Sequence, residues 1–141
     1  MIKKFGSAKW SGGLKDGKGK VSLESGALKD QPYGFNTRFE DGAGTNPEEL
    51  VGAAHAACFS MALSNILGES GITPDNIETR STIHLEMSGG PKVVKAHLDV
   101  TITATGDKDD ILEAAKKAEK GCPISQLLNC DITMDAQVTT A

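Results

Sequence analysis

The sequence has few aromatic residues and few arginines. Aromatic side chains make up 4% of the 141 residues, and Arg38 and Arg80 are the two arginines. The lysines are scattered along the chain, and the formal net charge is −4 at pH 7. Proteins that bind nucleic acid need a basic surface for the phosphates, and those that bind single strands use aromatic side chains for base stacking. The composition therefore argues against a nucleic-acid partner.

An N-terminal export signal is also missing, because the charged start MIKKFGSAKW is followed by no apolar run. One stretch, residues 50–68, is apolar enough to be considered as a membrane span, but it contains His55, Ser60, Ser64 and Asn65. Such polar residues are more typical of a buried helix in a soluble protein. We therefore expect a cytoplasmic protein with no membrane partner. In a reducing compartment, three cysteines indicate catalysis, redox sensing or metal binding rather than a structural disulfide.

Apolar residues spaced periodically between turn-rich segments predict the element order βββ-α-ββ-α-α-β, which indicates a single α+β domain over residues 1–141. Strands are expected in GSAKW, GKVSLES, YGFNTRF, STIHLEM, VKAHLDVTITA and CDITMDAQV. In the last three strands, alternation places Met87, Val94 and Cys130 among the inward-facing residues. The same alternation places His97 on the polar face, where we expect it to be solvated.

The longest predicted helix follows the loop EDGAGTNPEEL and ends at about Glu69. Asn46 is its expected N-cap, and Glu49 is placed to close a capping box. Its residues are apolar nearly all round, so that one buried stripe would not cover them. We therefore expect this helix to be central and to be covered in part by a second subunit of a twofold dimer. Further helices are predicted in GDKDDILEAAKKAEKG, with Asp107 as N-cap, and in PISQLL.

The three cysteines have different sequence surroundings. Cys58 lies in the middle of the long apolar helix, and an inert buried thiol is the ordinary interpretation there. Cys122 precedes Pro123, which places it at the N-cap of a short helix, where amide groups and the helix dipole favour a thiolate. The alternative for Cys122 is a poor cap present by chance. Cys130 lies on the apolar phase of the last strand and is interpreted as a core residue.

Three other residues offer chemistry next to these thiols. A thiolate in apolar surroundings needs a cation, and Arg38 is a candidate, although an arginine flanked by apolar residues is more often half-exposed with a packed stem. Glu48, in the first turn of the long helix, is suited to hold a guanidinium in a two-pronged pair, or it is favoured there by the helix dipole alone. His55 shares a helix face with Cys58 and, with Cys122, would supply three metal ligands. Because no paired metal-ligand spacing is present, His55 is interpreted as a hydrogen-bonded helix residue.

Three blocks in this order, QPYGFNTRFE, GTNPEELVGAAHAACFSMAL and KGCPISQLL, resemble the osmotically inducible protein C (OsmC) family. The resemblance runs along the whole chain and is strongest over residues 34–67. It is closer to OsmC than to the sister group of organic hydroperoxide resistance (Ohr) proteins, which carry their key arginine in the first hairpin, where SGGLKDGKG has none. The resemblance implies an α+β OsmC-like fold, with β-sheets wrapped around long central helices in an intertwined homodimer.

The resemblance also implies a thiol-dependent peroxidase that reduces organic hydroperoxides to alcohols in oxidative or osmotic stress defence. Cys58 in AACF would be the peroxidatic cysteine, and Cys122 in GCP would be the resolving cysteine that forms a disulfide with it. Arg38 in NTRF would stabilise the thiolate and the peroxide, and Glu48 in NPEE would orient Arg38. Cys130 matches no family motif. This activity implies no bound cofactor or metal, and it needs an external dithiol reductant, for which the related Ohr proteins point to lipoyl-type compounds.

A second class of function stays open beside the peroxidase. In a redox-switched sensor or binding protein the same disulfide would form under stress, an apolar interface would hold a small ligand, and turnover would be incidental. Recycling by a dithiol in a steady-state peroxidase assay distinguishes the two.

Overall fold

Backbone pairing arranges the strands in two sheets. The computed structural model describes residues 1–140, and the chain divides into one compact unit, Met1–Leu50, and a second that begins at Val51. The first sheet is an antiparallel meander of β1 (Gly6–Ser11), β2 (Lys18–Leu23) and β3 (Gln31–Tyr33). The second sheet has the order β4 (Asn76–Glu86), β5 (Lys92–Ala104) and β6 (Asp131–Thr140), with β4 antiparallel and β6 parallel to β5. The helices within residues 1–140 are α1 (Phe35–Phe39), α2 (Pro47–Glu69), α3 (Lys108–Gly121) and α4 (Pro123–Leu127).

This mixture of helices and sheets confirms the predicted α+β class, but the prediction of a strand in YGFNTRF is wrong for most of its length. β3 ends at Tyr33, and the following residues form α1. Thr37 Oγ1 accepts a hydrogen bond from the Gly34 N–H (2.9 Å) and donates one to the Gly34 carbonyl (3.0 Å). Phe35 and Phe39 then pack on the same helix face, with ring centroids 5.0 Å apart. Their spacing of four residues satisfies the period of a strand and that of a helix equally, so alternation alone misassigned the segment.

A glycine permits close aromatic packing in the first sheet. Trp10, Gly19 and Tyr33 are direct neighbours across β1, β2 and β3. The two rings tilt towards each other, with centroids 5.4 Å apart. A Cβ on Gly19 would lie 2.4 Å from Tyr33 Cε1 and 2.7 Å from Trp10 Cε3, so a side chain there would displace both rings.

The core of the second unit is formed by one stripe of α2, the inner face of β5 and one stripe of α3. The inward orientation predicted for four residues of β5 is confirmed, and these are Ala96, Leu98, Val100 and Ile102. The inward orientation predicted for Val94 is wrong, since its side chain is exposed. Leu85 pairs with Val93 and His84 with Lys95, which leaves Val94 as the extra residue of a β-bulge that reverses the strand phase. Met87 follows the end of β4 and is likewise exposed rather than inward-facing.

Side-chain caps define the predicted helix starts. Asn46 Oδ1 accepts the Glu49 N–H at 2.8 Å, which confirms Asn46 as the N-cap of α2. The Glu49 carboxylate accepts a hydrogen bond from the Asn46 side-chain amide. In a standard capping box the carboxylate would instead accept the Asn46 backbone N–H. Asp107 accepts the Asp110 N–H at 3.0 Å and caps α3 as predicted.

Helix α2 buries a single stripe of residues spaced three or four apart, namely Gly52, His55, Phe59, Leu63 and Leu67. Gly52 lies against β4, where an added Cβ would be 2.7 Å from the Ser81 backbone oxygen. The other residues of α2 are half-buried or exposed in a single chain, and Met61 is 77% exposed. The cover on several sides that the composition predicts is therefore not supplied by the described part of one chain.

Among residues 1–140, α2 is also the one helix whose length and apolar composition would allow it to cross a membrane. Core helices of soluble proteins share these properties. The buried stripe of α2, with a fully buried histidine, packs in the core of the second unit.

Candidate functional site

The second unit brings together two free thiols from distant parts of the sequence. Cys58 is half-buried in the middle of α2, and Cys122 is completely buried between α3 and α4. The two side chains lie within hydrogen-bonding reach, so that the protonation of each affects the pKa of the other. Two thiols in contact have the arrangement that a reversible disulfide requires.

Cys122 occupies the N-cap position of α4 that the Cys-Pro sequence predicts. Its Sγ accepts a hydrogen bond from the Ser125 N–H at 3.4 Å, and Pro123 is the first helical residue. Burial raises the pKa of the Cys122 thiol, but hydrogen bonds from Cys58 and Ser125 oppose and outweigh it, so that the pKa of Cys122 is lowered. Cys122 is therefore the better stabilised thiolate of the pair in the described unit.

Cys58 has the opposite tendency. Burial raises the pKa of the Cys58 thiol, and the hydrogen bond to Cys122 raises it further, because Cys58 then keeps its proton as the donor. A backbone hydrogen bond at Ile124 offsets this only in part. Within the second unit these contacts therefore favour the protonated thiol of Cys58.

His55 is the third member of this site, and it is fully buried on the same face of α2 as Cys58. Its Nδ1 contacts Ser81 Oγ at 2.7 Å, and its Nε2 contacts Ser125 Oγ at 2.8 Å. Burial lowers the pKa of His55, so the ring is neutral at neutral pH. The predicted hydrogen-bonded role is confirmed. Because both ring nitrogens are engaged by hydroxyl groups, the alternative of a His55, Cys58 and Cys122 metal site loses its imidazole ligand.

Ser81 and Ser125 were not among the site residues expected from the sequence. For Ser125 the sequence contains a weak indication, because it is the third helical residue after the N-cap Cys122 and its backbone amide is free to bond Sγ. Ser81 carried none, because its contact with His55 depends on how β4 packs against α2.

Arg38 and Glu48 form an ion pair within the first unit. Arg38 Nε donates to Glu48 Oε1 at 2.8 Å, through one bond rather than the two-pronged pair that Glu48 was expected to make. The Arg38 guanidinium lies 5.2 Å from the centroid of the Phe39 ring, and 38% of its side chain is exposed. Arg38 is thus carried by α1, and Glu48 by the first turn of α2.

An apolar cavity of about 160 Å³ lies beside this arginine in the first unit. Its walls are aromatic and aliphatic except for the guanidinium, and they comprise Trp10, Leu14, Tyr33, Gly34, Phe35, Arg38, Phe39 and Pro47. Such a cavity suits a small apolar group with one polar or anionic end.

The outer face of the second sheet carries a separate cluster around His97, which is not simply solvated as predicted. His97 Nδ1 bonds Thr133 Oγ1, and its Nε2 lies 3.4 Å from Asp99 Oδ1 and 3.2 Å from Asp135 Oδ2. One ligand atom from each of His97, Asp99 and Asp135 lies within 4.8 Å of the other two, a spacing compatible with a metal ion. The two carboxylates are 54% and 78% exposed, and surface groups of this kind are common without a metal.

Cys130 lies just before β6 and is half-buried, so it does not occupy the core face of that strand as predicted. Burial raises the pKa of its thiol, and the negative charge of Asp131 raises it further. Cys130 is therefore a protonated thiol at neutral pH.

Comparison with known proteins supports the family that the motifs indicate. A family model described as OsmC-like protein matches residues 40–137. The chain is 52% identical to Peroxiredoxin OsmC of Escherichia coli (strain K12), with 97% of each chain covered. It is 32% identical to the Organic hydroperoxide resistance protein-like 2 of Staphylococcus epidermidis, with 71% of each covered. The crystal structure of the organic hydroperoxide resistance protein OhrB of Bacillus subtilis shares the fold, with a TM-score of 0.67 at 24% identity over 96% of this chain and 98% of that one. The chain belongs to the OsmC family.

Proposed function

We propose that this chain is a thiol-dependent peroxidase that reduces organic hydroperoxides to alcohols. The observation that carries the proposal is the pair of free thiols, Cys58 and Cys122, in contact in the second unit. Its relatives include a protein named as a peroxiredoxin and others named for organic hydroperoxide resistance. A redox-active thiol pair is the chemistry that such an activity needs.

In the first step the Cys58 thiolate attacks the terminal oxygen of the peroxide. An S–O bond forms and the O–O bond breaks, and the alkoxide leaves as the alcohol after taking up the proton that the Cys58 thiol released, so that Cys58 becomes a sulfenic acid. An unassisted thiol with a pKa of about 8.5 is only a few per cent ionised at neutral pH. Since burial raises the pKa of Cys58, we assign its activation to the guanidinium of Arg38, oriented by Glu48.

In the second step Cys122 attacks the oxidised Cys58. An S–S bond forms and the S–O bond breaks, which releases water and prevents further oxidation of Cys58. The hydrogen bonds that lower the pKa of Cys122 favour its thiolate for this attack. An external dithiol, with lipoyl-type compounds as the candidates, then reduces the disulfide by exchange, so no bound cofactor or metal takes part.

The remaining parts of the proposal concern the substrate and the assembly. The apolar cavity beside Arg38 favours a hydroperoxide with an alkyl group over hydrogen peroxide. The exposed apolar surface of α2 supports an intertwined homodimer in which the catalytic residues meet at the subunit interface. We further propose that residues 1–141 act as one OsmC-like domain in the cytoplasm.

The test is a steady-state peroxidase assay with organic hydroperoxides and hydrogen peroxide, each with a dithiol and a monothiol donor. Cys58→Ser is expected to abolish turnover. Cys122→Ser is expected to permit one oxidation, after which mass spectrometry finds Cys58 as sulfinic or sulfonic acid. The matched control Cys130→Ser should turn over like the original chain. Activity in Cys58→Ser would refute the scheme, and oxidation without recycling by any dithiol would favour the redox-switched binding protein instead.

The same assay tests the assignment of Arg38. Arg38→Ala is expected to slow the oxidation of Cys58 by about 100-fold, the loss typical of removing one preorganised electrostatic group. Arg80→Ala, at an exposed position in β4, is the control. Equal rates of Cys58 oxidation in the two variants would remove Arg38 from the mechanism.

A further inference from the structure

We propose that His55 and Ser125 are positioning residues for the resolving step, because they hold the start of α4 against α2 with Cys122 directed at Cys58. The proposal rests on the peroxidase function above, and it assigns a role to two residues that the peroxide itself does not need to touch.

A continuous chain of hydrogen bonds links α2 to the resolving cysteine. His55, on the same α2 face as Cys58, bonds Ser125 Oγ through Nε2 at 2.8 Å. The backbone N–H of the same serine donates to Cys122 Sγ at 3.4 Å. One serine therefore joins the helix that carries the first cysteine to the sulfur of the second.

Helix α4 needs such an attachment because it is short. It spans five residues, too few for a helix that is stable by itself, so tertiary contacts must hold its first turn in place. His55 is itself held from the other side, since its Nδ1 bonds Ser81 Oγ of β4 at 2.7 Å. The imidazole thus connects the α4 N-terminus to the second sheet.

The burial of the network supports a specific role. His55 is 0% exposed and Ser125 is 5% exposed, so each hydrogen bond replaces one that water would otherwise make. Burial lowers the pKa of His55, which keeps the ring neutral at neutral pH. A neutral imidazole donates one hydrogen bond and accepts one, so one serine hydroxyl donates to the ring and the other accepts from it.

The resolving reaction depends on the groups around Cys122. Cys122 gives up its proton, its sulfur attacks Cys58 Sγ, and the sulfenic oxygen leaves with that proton as water. The titratable groups that face Cys122 are Cys58 directly and His55 through Ser125, both on α2. Loss of the Ser125 hydroxyl frees α4 from His55 and so loosens the Ser125 amide that donates to Cys122 Sγ.

The experiment compares Ser125→Ala with Thr79→Val. Thr79 makes an equivalent hydroxyl contact between β4 and α2, to Ser60 Oγ at 2.7 Å, without a link to α4. In single-turnover experiments with an organic hydroperoxide, Ser125→Ala should form the disulfide about tenfold more slowly, as expected for one net hydrogen bond, while Cys58 is oxidised at an unchanged rate. Thr79→Val should match the original chain in both steps. His55→Ala should slow disulfide formation as Ser125→Ala does, whereas His55→Gln, whose side-chain amide replaces Nε2 as the partner of Ser125, should keep most of the rate.

A second measurement does not depend on peroxide. In a Cys58→Ser, Cys130→Ser background the ultraviolet absorbance of the thiolate reports Cys122 alone, and Ser125→Ala should raise its pKa by about one unit. A purely structural contact would leave that pKa unchanged. The proposal is overturned if Ser125→Ala leaves the pKa of Cys122 as it was, or if disulfide formation is no slower than in Thr79→Val. If no hydroperoxide oxidises Cys58 even in the original chain, the peroxidase function fails, and the titration alone decides whether Ser125 positions Cys122.

Discussion

At the scale of single residues, the pKa values of the Cys58 and Cys122 thiols shift in opposite directions. The pKa of Cys122 is lowered by hydrogen bonds from Cys58 and Ser125, whereas burial raises the pKa of Cys58. The contacts within the second unit therefore favour a thiolate at Cys122 over one at Cys58. Arg38 and Glu48 form an ion pair in the first unit, and the proposed scheme assigns the activation of Cys58 to it. Under the proposed scheme, Cys58 becomes reactive only where this pair meets it.

The buried histidine gives the fold a predicted sensitivity to acid. Because burial lowers the pKa of His55 from 6.5, the unfolded chain binds a proton that the folded chain excludes. The free energy of unfolding should be at its full value above pH 6.5 and should fall as the pH drops from there through the lower pKa of the folded state. Urea unfolding between about pH 8 and about pH 5 measures this slope.

Two variants isolate the contribution of His55 to that slope. His55→Gln should show a smaller loss of stability over this range than the original chain. His84→Gln, which removes an exposed histidine of β4, is the control for the loss of one histidine at the surface. Equal slopes for His55→Gln and the original chain would show that His55 is not the titrating group.

At the scale of elements, caps and close contacts determine where the helices lie. Asn46, Asp107 and Cys122 each accept a backbone amide at the start of a helix, and all three caps were predictable from their sequence neighbours. The errors arose where one pattern fits two structures. Phe35 and Phe39 suit either a strand or a helix, and the bulge that exposes Val94 depends on pairing with β4.

The packing of α2 on β4 leads to a prediction at Gly52. Helix propensity alone favours Gly→Ala by about 1 kcal/mol. At Gly52, however, the new Cβ would lie 2.7 Å from the Ser81 backbone oxygen, so one of the two elements must shift. We expect Gly52→Ala to lower the free energy of unfolding by about 1–3 kcal/mol, as overpacking does elsewhere. Denaturant unfolding measures the change.

Gly68 is the matched control in the same helix. An added Cβ at Gly68 meets nothing within 4 Å, so Gly68→Ala should be neutral or stabilising by about 0.5 kcal/mol. If both variants changed stability in the same direction and by the same amount, close packing at Gly52 would not be the cause.

At the scale of the whole molecule, one face of the apolar helix α2 is left uncovered by the single chain. This helix carries Met61, with 77% of its surface accessible, among small apolar residues such as Ala53 and Ala57. A single chain rarely leaves such a surface open to water. The twofold dimer, the single domain over residues 1–141 and the cytoplasmic location stay predictions, of which the dimer is the most direct to test.

Light scattering after size-exclusion chromatography tests the dimer. The original chain should elute as a dimer, and Met61→Glu should shift it towards the monomer and reduce peroxidase turnover, because a buried carboxylate would be unpaired in the interface. Met87→Glu changes an exposed methionine outside α2 and should leave the dimer intact. A monomeric original chain, or a Met61→Glu dimer as stable as the Met87→Glu dimer, would contradict the assignment of this face.

The sequence by itself determined the α+β class, the three capped helices, the family and which two cysteines the fold brings together, because these depend on local periodicity and on motifs of adjacent residues. Only the tertiary structure decided that Ser81 and Ser125 enclose His55, that α1 carries Arg38 and that Cys122 rather than Cys58 has the lowered pKa. Those features depend on which atoms meet across separate elements. Burial and hydrogen bonding, which shift a pKa, are properties of that packing and not of the residues taken in order along the chain.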